Sequence, residues 1–216
     1  RNLSKEIRVA QFAGYVSEHS AYHHGEASLY GTITNMAQDY VGSNNINLFE
    51  PIGQFGSRLN GGKDAAQPRY IHTKLSEITK KIFNPQDTPL LNNRDDDGIK
   101  VEPYWYVPII PMILVNGCSG IGTGWSTSIP CYNPLDIIKC INNILDDNED
   151  LNKPLIPWYR GFRGSINKIS LKSYESKGLY HFESDDKLII TELPIGVWTD
   201  KYKEHLESLT YDSKAD

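Results

Sequence analysis

Apolar residues recur at helical spacing along the first forty positions of the chain. Val9, Phe12, Ala13 and Val16 fall at i, i+3, i+4 and i+7, the stripe of an amphipathic helix. Polar residues break the pattern from His19 to Gly25, and Leu29, Ile33, Met36, Ala37 and Tyr40 then resume it. Gly42 stands where a helix C-terminus favours a left-handed residue. Two helices with a short polar connection make a helix-turn-helix arrangement. From residue 42 to residue 70 the period is lost and glycines and amide side chains dominate. A loop of that length in a compact domain carries function or disorder.

Tyr70 to Leu75 reads as a short strand, with Ser76 capping a helix that runs through Ile78 and Ile82. Asn84 to Lys100 is a polar connection, and Pro103, Pro108 and Pro111 exclude helix across VEPYWYVPIIP. MILVN reads as a buried strand leading into a glycine-rich turn. Asn133 before Pro134 starts a helix whose buried face is Ile137, Ile138, Ile141, Ile144 and Leu145. Strands follow at Ser165 to Ile169 and Lys187 to Thr191. A last helix begins near Thr199, with Tyr202, Leu206 and Leu209 inward. The fold class is α+β, and a change of character near residue 110 divides the chain into two units.

Composition adds limits. The 216 residues, 39% hydrophobic and 23% charged, supply an ordinary core. No apolar run approaches the roughly 20 residues that span a bilayer. The first residue is Arg1, not methionine, so the chain is expected to be a piece of a longer one. Cys118, Cys131 and Cys140 lack metal spacing and fit a reducing compartment. The net charge of −5 opposes nucleic-acid binding, yet the charge is unevenly placed. Ser57 to Lys81 holds six basic residues against two acids, and Leu151 to Lys172 holds five against none. The acids gather in short runs, Asp95 to Asp97 and Asp146 to Asp150, which read as solvated loops or helix ends.

Three places could carry chemistry. GCSGIGTGW, residues 117 to 125, has neither the Gly-Lys-Ser/Thr of a phosphate loop nor the last glycine of a dinucleotide fingerprint. It reads as a tight turn that leaves Ile121 poorly buried between glycines. His19 and His23 are four apart, but Ser20 occupies the place where a metalloprotease helix has its glutamate. The pair His23-His24 reads as a polar turn. Tyr70 lies among Lys63, Asp64, Pro68 and Arg69. A phenol with a pKa of about 10 needs a base, a metal or a cation to act as a nucleophile. On a strand, Arg69 would point away from it.

Five segments, EIRVAQFAGYVSEHSAYHHGEASL, FEPIGQFGSRLNGGKDAAQPRYI, PMILVNGCSGIGTGWSTSIP, PWYRGFRG and ITELPIGVWTDKYKEHL, occur in an order that resembles the DNA cleavage core of eukaryotic type IIA DNA topoisomerases. The resemblance implies a catalytic winged-helix domain over residues 1–110, lacking its beginning, and the opening of an α/β tower domain over 111–216. It implies that Tyr70 attacks a DNA phosphate to give a 5′-phosphotyrosyl link, that Arg69 stabilises the transition state, and that His24 hydrogen-bonds the reacting phosphate. Ile121 matches an isoleucine that wedges between base pairs. Arg58, Lys63, Arg160 and Arg163 fall in matching blocks and are expected to meet phosphates. Ser119 stands where the family often has an acid, and Cys118 where it often has alanine. The implied partners are double-stranded DNA and a second copy in a nuclear homodimer. The implied cofactors, Mg²⁺ and ATP, are bound by parts of the parent outside this chain, so no metal ligand is assigned. The alternative is a winged-helix DNA-bending protein with no chemistry.

Overall fold

Val9 and Ala13 have no exposed surface and Phe12 almost none, so the first apolar stripe is a core face. It belongs to helix α1 (Val9–His19), which packs on α2 (Glu26–Ala37) through Leu29, Ile33 and Ala37. Phe49, Phe55 and Ile71 complete this first core, and the rings of Phe12 and Phe49 meet edge to face at 5.4 Å. The computed structural model describes residues 3–146 and 154–211. Positions 147–150 of the second acidic run, and Lys153, lie outside the described residues.

Helix α1 ends in a Schellman arrangement. The Tyr22 amide donates to the Ser17 carbonyl, and Ala21, just before it, takes a left-handed φ of 47°. Strand β1 (Ile7–Arg8) pairs antiparallel with β2 (His72–Thr73). The strand expected over Tyr70 to Leu75 is therefore only two residues long, and Tyr70 lies in the turn before it. Ser76 precedes α3 (Glu77–Ile82), but its backbone carbonyl rather than its hydroxyl receives the Thr79 amide.

The long segment 42–70 is an ordered tie between the two halves. Asn45 donates to the carbonyls of Tyr132 and Trp158 and accepts from the Arg160 amide at 2.8 Å. Asn116 and Ile46 exchange two hydrogen bonds. Gly61, at φ +61°, faces the indole of Trp198 so closely that a Cβ would lie 2.3 Å from it. The amides that looked like loop composition are the fasteners of that loop.

The polar connection contains a 3-10 turn (Pro85–Leu90) and a hairpin of β3 (Asn93–Asp96) with β4 (Ile99–Pro103). Asp97 and Gly98, both at positive φ, form its two-residue turn, a strong hairpin signal. MILVN is not a strand. Met112–Val115 is a single helical turn, α4, that buries Val115 and leaves Ile113 exposed. A run of four apolar residues has no period to decide between the two states. The expected glycine-rich turn is itself a hairpin, β5 (Cys118–Gly122) with β6 (Trp125–Ile129).

Asn133 caps α5 (Pro134–Leu145) by accepting from the Leu135 amide at 3.0 Å. A second core gathers Ile110, Val115 and Ile137, with Ile141 packed against it. Ile138, Ile144 and Leu145 are exposed, because the described chain covers only one side of α5. Two further hairpins follow, β7 (Ser165–Ser170) with β8 (Ser173–Lys177), and β9 (Leu179–Ser184) with β10 (Lys187–Glu192). Helix α6 (Thr199–Tyr211) ends the description, with Leu206 and Leu209 exposed rather than inward. The architecture is mixed α+β with five short two-stranded sheets among the described residues. Among these residues no helix is long and apolar enough to cross a membrane.

Candidate active site

The turn that carries Tyr70 is fastened to the start of α1. The first amides of a helix have no partner within it. Here the Val9 amide donates to the Ile71 carbonyl at 3.0 Å and the Ala10 amide to the Pro68 carbonyl at 3.1 Å. The Tyr70 amide closes the turn on the Gln67 carbonyl at 2.8 Å. Ile71, 1% exposed, and Thr73, fully buried, anchor the chain beyond it. Backbone and core thus hold the turn while its tyrosine stays outside.

Tyr70 is 67% exposed, and its hydroxyl has no hydrogen-bond partner among the described residues. The Arg69 guanidinium carbon lies 4.8 Å from the centroid of its ring. The expectation that Arg69 points away fails because strand alternation does not apply inside a turn. A cation over a phenol ring is attracted to its π-face. Arg69 forms no ion pair among the described residues, so its donors are open to an anion.

His24 lies in the connection between α1 and α2, exposed, with its ring edge to face on Tyr22 at 5.4 Å. Its neighbour His23 has Nε2 3.4 Å from Oδ2 of Asp96, which brings the β3–β4 hairpin against this connection.

Ile121 is 94% exposed. It pairs with Ser126, and Ser119 pairs with Ser128, so one face of the β5–β6 hairpin carries three serines and a single large apolar side chain. Trp125 and Thr127, paired with Gly122 and Gly120, occupy the other face. The hairpin itself offers Ile121 nothing apolar to pack on.

The four basic residues expected at phosphates differ. Lys63 is exposed and has no ion pair among the described residues. Arg160 donates to Asn47 Oδ1 at 3.3 Å and to the Asp39 carbonyl at 3.1 Å, with its charge unneutralised by any carboxylate among those residues. Arg163 is exposed, but its Nε lies 3.5 Å from Glu192 Oε2 and it donates to the Thr191 carbonyl. Arg58 differs from the other three. It is mostly buried, pairs with Glu192 and donates to the Leu193 carbonyl at 2.6 Å. Its charge is neutralised inside the protein, where it ties the first half of the chain to the second. Glu192, 3% exposed at its side chain, was not singled out from the sequence. Only its two arginine partners, far away along the chain, mark it.

Among the described residues no group of three or more histidines, cysteines or acids is placed to hold a metal ion. The described residues thus offer Mg²⁺ no cage of three or more such ligands. Cys118 is exposed, Cys140 half-buried, and burial pushes the Cys131 thiol up to about 11.

A family model for the A subunits of DNA gyrase and topoisomerase IV matches residues 1–216. The probable DNA topoisomerase 2 of Dictyostelium discoideum is 56% identical over 214 residues, which cover 97% of this chain and 14% of the relative. DNA topoisomerase 2 of Bombyx mori is 55% identical over 206 residues, 95% of this chain and 13% of the relative. The crystal structure of the Plasmodium falciparum topoisomerase II DNA-binding, cleavage and re-ligation domain superposes with a TM-score of 0.96 at 54% identity. That match covers 100% of this chain and 29% of the other. The chain thus spans about one seventh of the length of these two curated relatives. It belongs to the DNA gyrase/topoisomerase IV family, and within that family to the eukaryotic type II topoisomerases.

Proposed function

We propose that Tyr70 is the nucleophile of a DNA breakage and rejoining reaction carried out by the parent enzyme. The observation that carries this reading is an exposed phenol, without a hydrogen-bond partner among the described residues, on a hydrogen-bonded turn with the Arg69 guanidinium over its ring. Tyr70 Oη bonds to a backbone phosphorus as the P–O3′ bond breaks, leaving a 5′-phosphotyrosine and a 3′-hydroxyl. The phenolic proton passes to solvent, and His24 supplies a hydrogen bond, and with it a proton, to the departing 3′-oxygen. One phosphodiester replaces another, so rejoining is the same step reversed. Arg69 donates to the phosphoryl oxygens, where charge gathers in the transition state.

Ile121 enters a base step and bends the duplex, while Lys63, Arg160 and Arg163 neutralise flanking phosphates. Arg58 braces the loop that carries Lys63. Residues 1–110 form a catalytic winged-helix domain and 111–216 the start of a tower domain. The first core lies within 1–110, and the second, around Val115 and Ile137, also takes in Ile110 and Ile46 from the first domain. The parent is a nuclear homodimer, one tyrosine per strand, that passes a second duplex through the break with ATP. Mg²⁺ and ATP bind outside this chain.

The test is denaturant-resistant attachment of 3′-end-labelled DNA strands to the full-length enzyme, because a 5′-phosphotyrosyl link keeps the fragment on the 3′ side of the break. Wild type should retain label when cut, and Tyr70→Phe should retain none while binding duplex with similar affinity. Label retained by Tyr70→Phe would move the role to another residue.

A further inference from the structure

Beyond the residues already assigned, the ladder next to Tyr70 carries a second pair of donors. The His72 amide and carbonyl both bond Ile52, at 2.9 and 3.1 Å, so His72 turns no backbone group toward β1. Its partner across the β1–β2 ladder is Arg8. This is a non-hydrogen-bonded antiparallel pair, the kind in which facing side chains come closest. The Ile71 and Thr73 side chains are buried, which leaves His72, and with it Arg8, on the outer face.

Neither side chain has a hydrogen-bond or ionic partner among the described residues. Arg8 is exposed, whereas Lys74, the next residue on the His72 face, is taken by Glu50 at 3.1 Å. Arg8 caps α1 without a side-chain hydrogen bond, so its guanidinium is not needed to start the helix. Arg8 and His72 both line an open groove of about 830 Å³. Lys5, Glu6 and Glu18 line it too, so the groove as a whole is not a track for a polyanion. The favourable end is the one where guanidinium and imidazole stand side by side.

We infer that Arg8 and His72 hold the DNA phosphate next to the scissile one on the strand that Tyr70 attacks. The inference rests on Tyr70 being the nucleophile. His72 is two residues beyond Tyr70, on the strand that follows its turn, which places the pair beside the reacting residue. Guanidinium and imidazole N–H groups are the donors a phosphate diester takes. Holding the neighbouring phosphate fixes the scissile one against the Tyr70 hydroxyl, so Arg8 and His72 are positioning residues for the reaction.

The experiment pairs protein and DNA changes in the full-length enzyme. Substrates carry a neutral methylphosphonate at either phosphate flanking the scissile one, and the yield and rate of covalent complex are measured. In wild type, one of these two substitutions lowers the rate by about tenfold, the size of one lost charge-assisted hydrogen bond. Arg8→Gln lowers the rate on unmodified DNA by a similar factor. On the modified DNA it causes no further loss, because the contact is already gone. Arg8→Lys restores part of the rate on unmodified DNA only, and His72→Gln shows the same non-additivity more weakly. A merely structural role for Arg8 gives equal losses on both substrates. Independent, multiplying losses at both flanking positions would overturn the inference. An adduct formed by Tyr70→Phe would instead overturn the assignment beneath it.

Discussion

The Arg69 guanidinium sits over the Tyr70 ring, 4.8 Å from its centroid to the guanidinium carbon, on a turn that gives neither residue another charged partner among the described residues. The contact restrains both side chains before DNA arrives. It also keeps a permanent cation on the same turn as the Tyr70 ring. Arg69→Gln should lower the single-turnover rate of covalent complex formation by about 10²–10³, the cost of removing one transition-state donor. Arg69→Lys keeps the charge without the planar fork and should fall between. Duplex affinity should change little. A rate for Arg69→Gln within threefold or so of wild type, far short of that loss, would remove Arg69 from the chemistry.

Ile121 is the only large apolar side chain on its face of the β5–β6 hairpin. Ile121→Ala should relax the bend in bound DNA, read as lower energy transfer between dyes at the duplex ends. Cleavage should fall with the bend. Phosphate contacts remain, so the salt dependence of binding should keep its slope. Unchanged bending would mean that the isoleucine packs within the protein.

The elements that the sequence disclosed were those with a period or a cap. Helix α1 and the start of α5 at Asn133 are of that kind. Met112–Val115 had neither, and its helical turn was unreadable. The Asp97-Gly98 hairpin was readable and was hidden by the polarity of its strands. At the site, the exposure of Ile121 followed from its flanking glycines. The contact of Arg69 with Tyr70 did not, because it depends on a turn where a strand was expected. Nor did the fate of Arg58, whose partner Glu192 lies 134 residues away.

His24 stands in the α1–α2 connection with an aromatic edge contact from Tyr22 and no hydrogen bond or ion pair among the described residues. His24→Ala should slow cleavage and rejoining together, by about 2.7–4 kcal/mol of barrier, with little loss of duplex binding. Single-turnover rates in both directions measure it. Equal rates would return His24 to a polar turn.

Glu192 is buried between Arg58 and Arg163. Glu192→Gln leaves the mostly buried Arg58 guanidinium without its counter-charge and should cost about 3–5 kcal/mol of stability. Thermal unfolding of the DNA cleavage core measures it. A midpoint equal to wild type would mean that the pair is not a brace.

The central claim is that Tyr70 takes the DNA strand. Covalent complex trapped in denaturant can be digested with protease and nuclease and its nucleotide-bearing peptide sequenced by mass spectrometry. The account predicts one modified peptide, containing AAQPRY, with the nucleotide joined through its 5′-phosphate to the Tyr70 oxygen. A nucleotide on any other residue, or joined through a 3′-phosphate, would contradict it.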